Sequence, residues 1–118
     1  MEKLTAKLGL YNVSDFMDRD AYGIGIQLYD ENSEPYVTLT VSFGEVIGIK
    51  NAAYVDTNNF PQAIAYIEEN HMGIKTPYTK QSGFCEYPLV LFDEDYLKSL
   101  DAAKYKKYSD AFDAVMES

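Results

Sequence analysis

Residues 36–43 read Tyr-Val-Thr-Leu-Thr-Val-Ser-Phe, and this stretch decides the fold class. Apolar and hydroxyl side chains alternate from Val37 onwards, and β-branched residues are frequent, so a strand with one apolar face is predicted. Residues 22–29 alternate in the same way, and the polar segment 30–35 between them is typical of a turn. The two strands are therefore predicted to form an antiparallel hairpin, in a sheet that is wet or only partly covered on one side.

Further strands are predicted on both sides of this hairpin. Residues 4–11 show weak alternation, and 51–55 add a short strand. Residues 87–92 form a strand in which Pro88, lacking an N–H, belongs at the start or on a sheet edge. The remaining segments are predicted to be irregular: 12–20 as a polar loop or short helical turn, 44–50 as a loop or bulged strand, and 73–84 as a long loop.

An amphipathic helix is predicted at about 60–70, where four apolar residues recur at helical spacing. Asn59 is predicted to be its N-cap, with the side-chain oxygen accepting a backbone N–H of the first turn. Pro61 suits that turn, because its missing N–H costs nothing there. One polar residue is enough for a cap, yet residues 56–59 supply four in a row. This surplus makes the helix start a candidate for binding as well as for capping.

Two more helices are predicted in the C-terminal part of the chain. Asp93 caps the first, in which Leu97 and Leu100 face inward. The last helix carries an apolar stripe between residues 105 and 116. If the two helices were one continuous helix, Lys104 would lie on its apolar face, so a break is predicted near Asp101.

The chain has 118 residues, which corresponds to one domain spanning 1–118. The sum of the elements is an α+β fold: an antiparallel sheet of about four to five strands with helices packed on one face. The hydrophobic fraction of 47% is ordinary for a globular protein, so disorder is not expected.

The formal net charge is −9, and the acidic residues are spread along the chain. The one basic group, formed by Lys104, Lys106 and Lys107, is too small for direct binding to nucleic acid or to an anionic membrane. The charge is explained by solubility, or alternatively by mimicry of nucleic acid. The chain has eleven tyrosines, six phenylalanines and no tryptophan. Because tyrosine combines an apolar ring with a polar hydroxyl, it suits both the periphery of a core and a protein interface.

The residues that usually form metal, cofactor or catalytic sites are scarce. Cys85 is the single cysteine and His71 the single histidine, so no metal site, cofactor or catalytic group is predicted. Residues 1–4 lack the apolar run of a signal peptide, and the longest aliphatic-aromatic run, 89–92, is far too short to cross a membrane. A cytoplasmic location is expected.

The candidate ligand- or partner-binding residues share polar side chains and are Asp56, Asn58, Asn59, Ser82 and Tyr87. They converge if the predicted loop 73–84 folds back over the helix start, with Phe84 anchored against Phe60. A helix N-terminus beside polar side chains suits an anion or polar ligand. Capping and loop-to-helix hydrogen bonds explain the same residues without any ligand and are the favoured interpretation.

Four short segments of the sequence occur in a recognisable order: 54–61 (Tyr-Val-Asp-Thr-Asn-Asn-Phe-Pro), 67–70 (Ile-Glu-Glu-Asn), 82–85 (Ser-Gly-Phe-Cys) and 87–89 (Tyr-Pro-Leu). The last segment is followed by Phe92 and Leu97. Together they resemble a family of small bacterial proteins of unknown function, found largely on mobile elements and in gut-bacterial genomes. The resemblance covers roughly residues 36–100. It implies a cytoplasmic bacterial setting and carries over no catalytic residue.

These observations favour a non-enzymatic protein-interaction module whose partner is another protein. Two alternatives stay open at this point. The first is an acidic mimic of nucleic acid that inhibits a host defence nuclease. The second is a small-ligand-binding domain that uses residues 56–59 and 82–87.

Overall fold

The computed structural model describes residues 4–14 and 20–117, which form two antiparallel sheets and three helices. The predicted α+β fold is confirmed. One sheet has the strand order β1-β2-β3 and the other β4-β5-β7-β6. The strands are β1 Thr5–Ser14, β2 Asp20–Tyr29, β3 Pro35–Thr38, β4 Thr40–Val41, β5 Ala52–Val55, β6 Gly73–Ser82 and β7 Cys85–Phe92. The helices are α1 Ala63–Glu69, α2 Glu94–Leu100 and α3 Ala102–Met116.

The two sheets separate at Leu39, in the middle of the stretch that was predicted as one strand. The Leu39 N–H donates to the Ile26 carbonyl of β2 at 2.8 Å, while the Leu39 carbonyl accepts from the Asp56 N–H at 2.9 Å. The next residue, Thr40, accepts the buried Ile26 N–H on its Oγ1 at 3.0 Å. The hairpin partner of β2 is therefore only β3, and residues 40–41 pair with β5 in the second sheet.

Thr40 was expected on the wet face of its strand and is instead buried, with 2% of its surface exposed. Its hydroxyl replaces the backbone acceptor that β2 would lack where the partner strand leaves for the other sheet. Residues 42–43, at the end of the predicted strand, lie beyond β4.

Two predicted loops are wrong because strand pairing extends through them. Residues 12–14 continue β1 to the end of its ladder with β2, while residues 15–19 lie outside the described residues. Residues 1–3, on which the signal-peptide prediction also rested, lie outside them as well. Residues 73–82 form β6, whose backbone groups pair with β7 on either side of a bulge between Lys75 and Thr79. Many polar side chains in 73–82 are exposed, which gave the segment its loop-like composition.

The predicted start of the first helix is also wrong. Helix α1 begins at Ala63, and its N-cap position is Gln62, which makes no side-chain capping hydrogen bond. Asn59 lies in a preceding turn and donates to Asp56: its N–H to Oδ1 at 3.1 Å and its Nδ2 to Oδ2 at 2.7 Å. The capping carboxylate therefore belongs to Asp56 and holds a turn rather than the helix.

The predicted cap at Asp93 and the predicted break near Asp101 are confirmed. Asp93 accepts the Tyr96 N–H at 2.8 Å and begins α2. The break lies at Asp101, which accepts the Lys104 N–H at 3.0 Å and begins α3. The backbone of Asp101 is extended (φ −165°), so the chain changes direction there and both helices keep an apolar side against the core.

The main hydrophobic core draws on both sheets and all three helices, and its most deeply buried side chains include Ile26, Leu28, Leu39, Ile67, Val90, Phe92 and Leu97. Helix α3 is fastened to the start of β5 by hydrogen bonds at Asn51. The Asn51 N–H donates to the Tyr108 hydroxyl at 2.9 Å, and the Tyr105 hydroxyl lies 2.7 Å from Asn51 Oδ1. The tip of the hairpin formed by β6 and β7 lies outside this core, because residues 81–84 are exposed.

Candidate functional site

The β6–β7 hairpin extends beyond the rest of its sheet. Strand β5 pairs with β7 only at residues 89–91. From Pro88 to Cys85, β7 pairs with β6 alone, over the partners Thr79 to Ser82. We call residues 79–88 the hairpin arm. At about 3.3 Å per residue, its tip lies on the order of 13 Å beyond Leu89, the last β7 residue paired with β5.

The tip of the arm is a two-residue turn, Gly83-Phe84, that joins the pair Ser82 and Cys85. Gly83 has φ of +63°, which glycine adopts without strain, and Phe84 is not in the positive-φ region. This is the arrangement of a type II′ turn, whose twist matches that of the flanking strands. The turn leaves Phe84 fully exposed, at 107% of the reference area.

The base of the arm is held by Phe43, which follows β4. The Phe43 ring packs edge-on against Tyr54 of β5 and Tyr87 of β7, with ring centroids 5.5 and 5.4 Å apart. On the β6 side, Lys80 lies 5.3 Å from the centroid of the Phe43 ring and forms an ion pair with Glu45. Both strands of the arm are therefore fixed to the segment that follows β4, and the tip is presented in one orientation.

The surroundings of this base raise the pKa values of Lys80 and Tyr87 further above neutral pH. The hydrogen bond to Glu45 raises the pKa of Lys80, and the charges of Glu45 and Tyr54 raise it further. Partial burial raises the pKa of Tyr87, as do a hydrogen bond with Cys85 and the nearby Asp56 charge. A charged lysine and a neutral tyrosine suit binding and packing.

The outer edge of β6 is poorly suited to pairing with another strand. Pro77 has no N–H to donate, Lys75 carries a charge, and the bulge between Lys75 and Thr79 interrupts the regular ladder. These are devices by which proteins keep sheet edges from pairing. The groups that this hairpin offers to its surroundings are therefore side chains, and Ile74 and Tyr78 are exposed at 60% and 59%.

The structure brings only part of the predicted site together. Asp56 and Asn59 are hydrogen-bonded, and Asp56 lies close enough to Tyr87 for its charge to raise the pKa of that tyrosine. Asn58 is exposed in the turn between β5 and α1. Ser82 lies at the far end of the arm, paired with Cys85.

The mechanism that was expected to join these residues is wrong. Residues 73–84 do not fold back over a helix start, because 73–82 are paired with β7. Phe84 does not contact Phe60 as an anchor, since its side chain is fully exposed. The Phe60 ring packs instead against Tyr36 and Tyr66, with centroids 6.4 and 6.1 Å away.

Sequence reasoning missed Phe43, Glu45 and Lys80 as parts of the site. Phe43 and Glu45 are distant in sequence from the arm tip, and only the pairing of β6 with β7 places Lys80 opposite Tyr87. One local signal for the hairpin was present. Gly83 followed by Phe84 is the Gly-X pair that is typical of a two-residue type II′ turn.

The surface hollows are small or shallow. The space lined by Tyr11, Phe43 and Tyr54 has a volume of about 20 Å³, roughly that of one water molecule. Two larger hollows of about 340 Å³ lie open to solvent beside Glu94. Among residues 4–14 and 20–117, no group of His, Cys, Asp and Glu side chains is placed to hold a metal ion. No helix in this described part is long and apolar enough to cross a membrane.

Comparison with known proteins shows the family of this chain. A family model described as a domain of unknown function (DUF4313) matches residues 10–112, which is most of the chain, so the chain belongs to this family. No curated protein and no solved structure matches the chain.

Proposed function

We propose that this DUF4313 member is a non-enzymatic protein-interaction module that inserts Phe84, at the tip of its hairpin arm, into an apolar pocket of a partner protein. The observation that carries the proposal is the complete exposure of Phe84 on a tight turn at the end of an ordered hairpin. Large aromatic side chains that fill a partner's pocket commonly dominate binding energies.

The energetics support this role. Burying a fully exposed phenylalanine contributes about 2 kcal/mol or more to association. The contacts of Phe43 and Lys80 hold the arm in place before binding, so little conformational freedom is lost when the partner docks. Ile74 and Tyr78 on β6 add exposed apolar surface along the same hairpin.

The structure gives less support to nucleic-acid mimicry. A mimic needs carboxylates that are free to meet basic side chains. Among the residues that the structure describes, four carboxylates form ion pairs with lysines: Glu45, Glu94, Asp110 and Asp113. Four others accept backbone N–H groups at turns and helix starts: Asp30, Asp56, Asp93 and Asp101. Much of the negative charge is thus engaged within the fold.

A small-ligand role for residues 56–59 and 82–87 also has less support. Pockets for small molecules usually enclose about 300 Å³ or more. The hollow beside Phe43 and Tyr54 has room for roughly one water, and the two hollows of about 340 Å³ beside Glu94 are lined by other residues. The expected setting, a bacterial cytoplasm, is part of the proposal, and fractionation of the native cell with an antibody to the protein tests it.

The experiment compares three immobilised baits in extract of the native cell: the wild type, Phe84→Ser and Ile49→Ser. Ile49 is a matched control, because it is an exposed apolar residue (39%) outside the hairpin. We expect a protein retained in near-stoichiometric amount by the wild type and the control, and reduced at least about tenfold by Phe84→Ser. Equal retention by all three baits, or no stoichiometric protein on the wild type, contradicts the proposal.

A further inference from the structure

The other sheet has a long edge strand, β1, which lacks the proline and the bulge that protect the edge strand β6. Strands β3 and β4, at two of the remaining edges, are only 4 and 2 residues long. Strand β1 has 10 residues, pairs with β2 without a register shift, contains no proline and carries one charged side chain, Lys7. Long regular edges without such protection are the ones that pair with further strands.

The hydrogen bonds of β2 show which backbone groups of β1 face outward. Ile26, the partner of Leu8, uses its N–H and its carbonyl on the opposite side, toward Thr40 and Leu39. Leu8 and Ile26 are therefore a non-hydrogen-bonded pair of the ladder. The Leu8 carbonyl points away from β2, where it accepts from Lys104 Nζ at 3.2 Å. Because the backbone groups of successive residues in a strand point alternately to its two sides, the even-numbered residues of β1 present N–H and C=O groups at the open edge.

We propose that β1 pairs antiparallel with β1 of a second copy of this chain, forming a continuous six-stranded sheet across a two-fold axis. This inference is independent of the hairpin arm, which belongs to the other sheet. Only even-numbered residues direct their backbone groups toward the open edge, so they must pair with even-numbered residues of the second copy. The longest overlaps that satisfy this condition are centred on Gly9 or on Leu10.

The side chains favour the register centred on Gly9. It places Leu8 against Leu10 of the second copy, on the face that packs against the core. It also places Lys7 against Tyr11 of the second copy, so the two lysines are separated by roughly 13 Å along the strands, beyond the screening length at physiological salt. The two Gly9 residues then meet at the axis, in a close pair without backbone hydrogen bonds. This register supplies about eight new backbone hydrogen bonds.

The hydrogen bond from Lys104 to the Leu8 carbonyl does not block this pairing. Lys104 has an exposed side chain, and a carbonyl oxygen has a second lone pair for the incoming N–H. Each copy carries a formal charge of −9, so the copies repel one another at long range. Association is therefore expected to be weak and to strengthen as salt is raised from about 0.02 to about 0.3 M.

Sedimentation equilibrium of the full chain tests the proposal between about 5 and about 500 μM, the range of weak interfaces. The decisive variant is Gly9→Glu. A Cβ at Gly9 meets no atom nearer than 4.0 Å, so the folded monomer has room for it. In the dimer the two glutamates face each other across the axis, and like charges directly opposite are unfavourable. We expect dimerisation to weaken at least about tenfold, while the control Gly9→Thr stays within about threefold of the wild type.

Amide hydrogen exchange gives a second readout that does not depend on any variant. Odd-numbered amides of β1 are protected at every concentration by β2, whereas those of Ala6, Leu8, Leu10 and Asn12 become protected only as the dimer forms. A monomer up to about 500 μM overturns the proposal. It is equally overturned by a dimer that Gly9→Glu leaves intact, or by one that forms without this even-numbered protection. Phe84→Ser should dimerise like the wild type, which separates this interface from the hairpin arm.

Discussion

Replacing Thr40 by valine tests whether its hydroxyl joins the two sheets. Valine keeps the shape of threonine and removes the acceptor for the Ile26 N–H. Ile26 is 0% exposed and Thr40 2%, so water has no access to the orphaned donor. Leaving a buried donor unpaired costs about 1–3 kcal/mol, and we expect a loss of about 2 kcal/mol for Thr40→Val.

Thr40→Ser is the matched control, because it keeps the hydroxyl and removes one methyl group. The loss of a buried methyl costs about 1 kcal/mol. Valine is thus expected to destabilise more than serine, although it resembles threonine more closely in volume. This order is opposite to the one that packing alone predicts.

Urea denaturation followed by far-UV circular dichroism measures the difference. With a slope of about 1.5 kcal/mol per M, the midpoint should fall by about 1.3 M for Thr40→Val and by about 0.7 M for Thr40→Ser. Hydrogen exchange at the Ile26 amide should accelerate more in the valine variant than in the serine variant. A valine variant that is as stable as the serine variant, or more stable, would refute the role assigned to the hydroxyl.

Three further predictions concern stability. Gly73→Ala should destabilise by several kcal/mol, because its Cβ would lie 2.5 Å from a backbone oxygen of β7, whereas Gly48→Ala, with nothing within 4 Å, should have little effect in the same urea titration. Asp101→Ala should cost about 1 kcal/mol through the lost cap of α3, and an unchanged urea midpoint would count against that cap. Burial raises the pKa of Tyr96 and Tyr105 to about 12. Their contribution to the free energy of unfolding is therefore complete below about pH 10, where unfolded tyrosine titrates, and is lost as the pH rises through about 12. Urea midpoints and tyrosinate absorbance between pH 7 and 12 check this, and a midpoint unchanged at pH 12 would contradict it.

The elements that follow from the sequence are those with strong local signals. The cap at Asp93 was predicted because a short polar side chain directly precedes a helical apolar pattern, and the break near Asp101 was predicted from the position of Lys104. The alternation of residues 22–29 identified β2 for the same kind of reason. In each case the stabilising interaction lies within a few residues, so the local sequence is sufficient.

The parts that sequence reasoning missed depend on partners far along the chain. The division at Leu39 requires both β2 and the start of the segment after β5, and neither leaves a mark in residues 36–43. Strand β6 is polar because it lies at an edge, so its composition is that of a loop. The surplus of polar residues at 56–59 forms a turn held by Asp56, which the sequence does not distinguish from a helix cap.

The candidate site shows the same limit. Tyr87 and Asp56 were singled out and do lie near each other. The exposed position of Phe84 was not foreseen, because an apolar side chain in a presumed loop was expected to pack inward. Its exposure follows from the two-residue turn, which leaves a side chain at the tip with no neighbour to cover it.

The most direct test of the proposed function is the affinity of the purified partner, measured by isothermal titration calorimetry against the wild type, Phe84→Ser and Ile49→Ser. If the arm binds through Phe84, the dissociation constant should rise about 30-fold for Phe84→Ser, the equivalent of about 2 kcal/mol, and stay within about twofold for Ile49→Ser. A dissociation constant for Phe84→Ser within about threefold of the wild type would contradict the account.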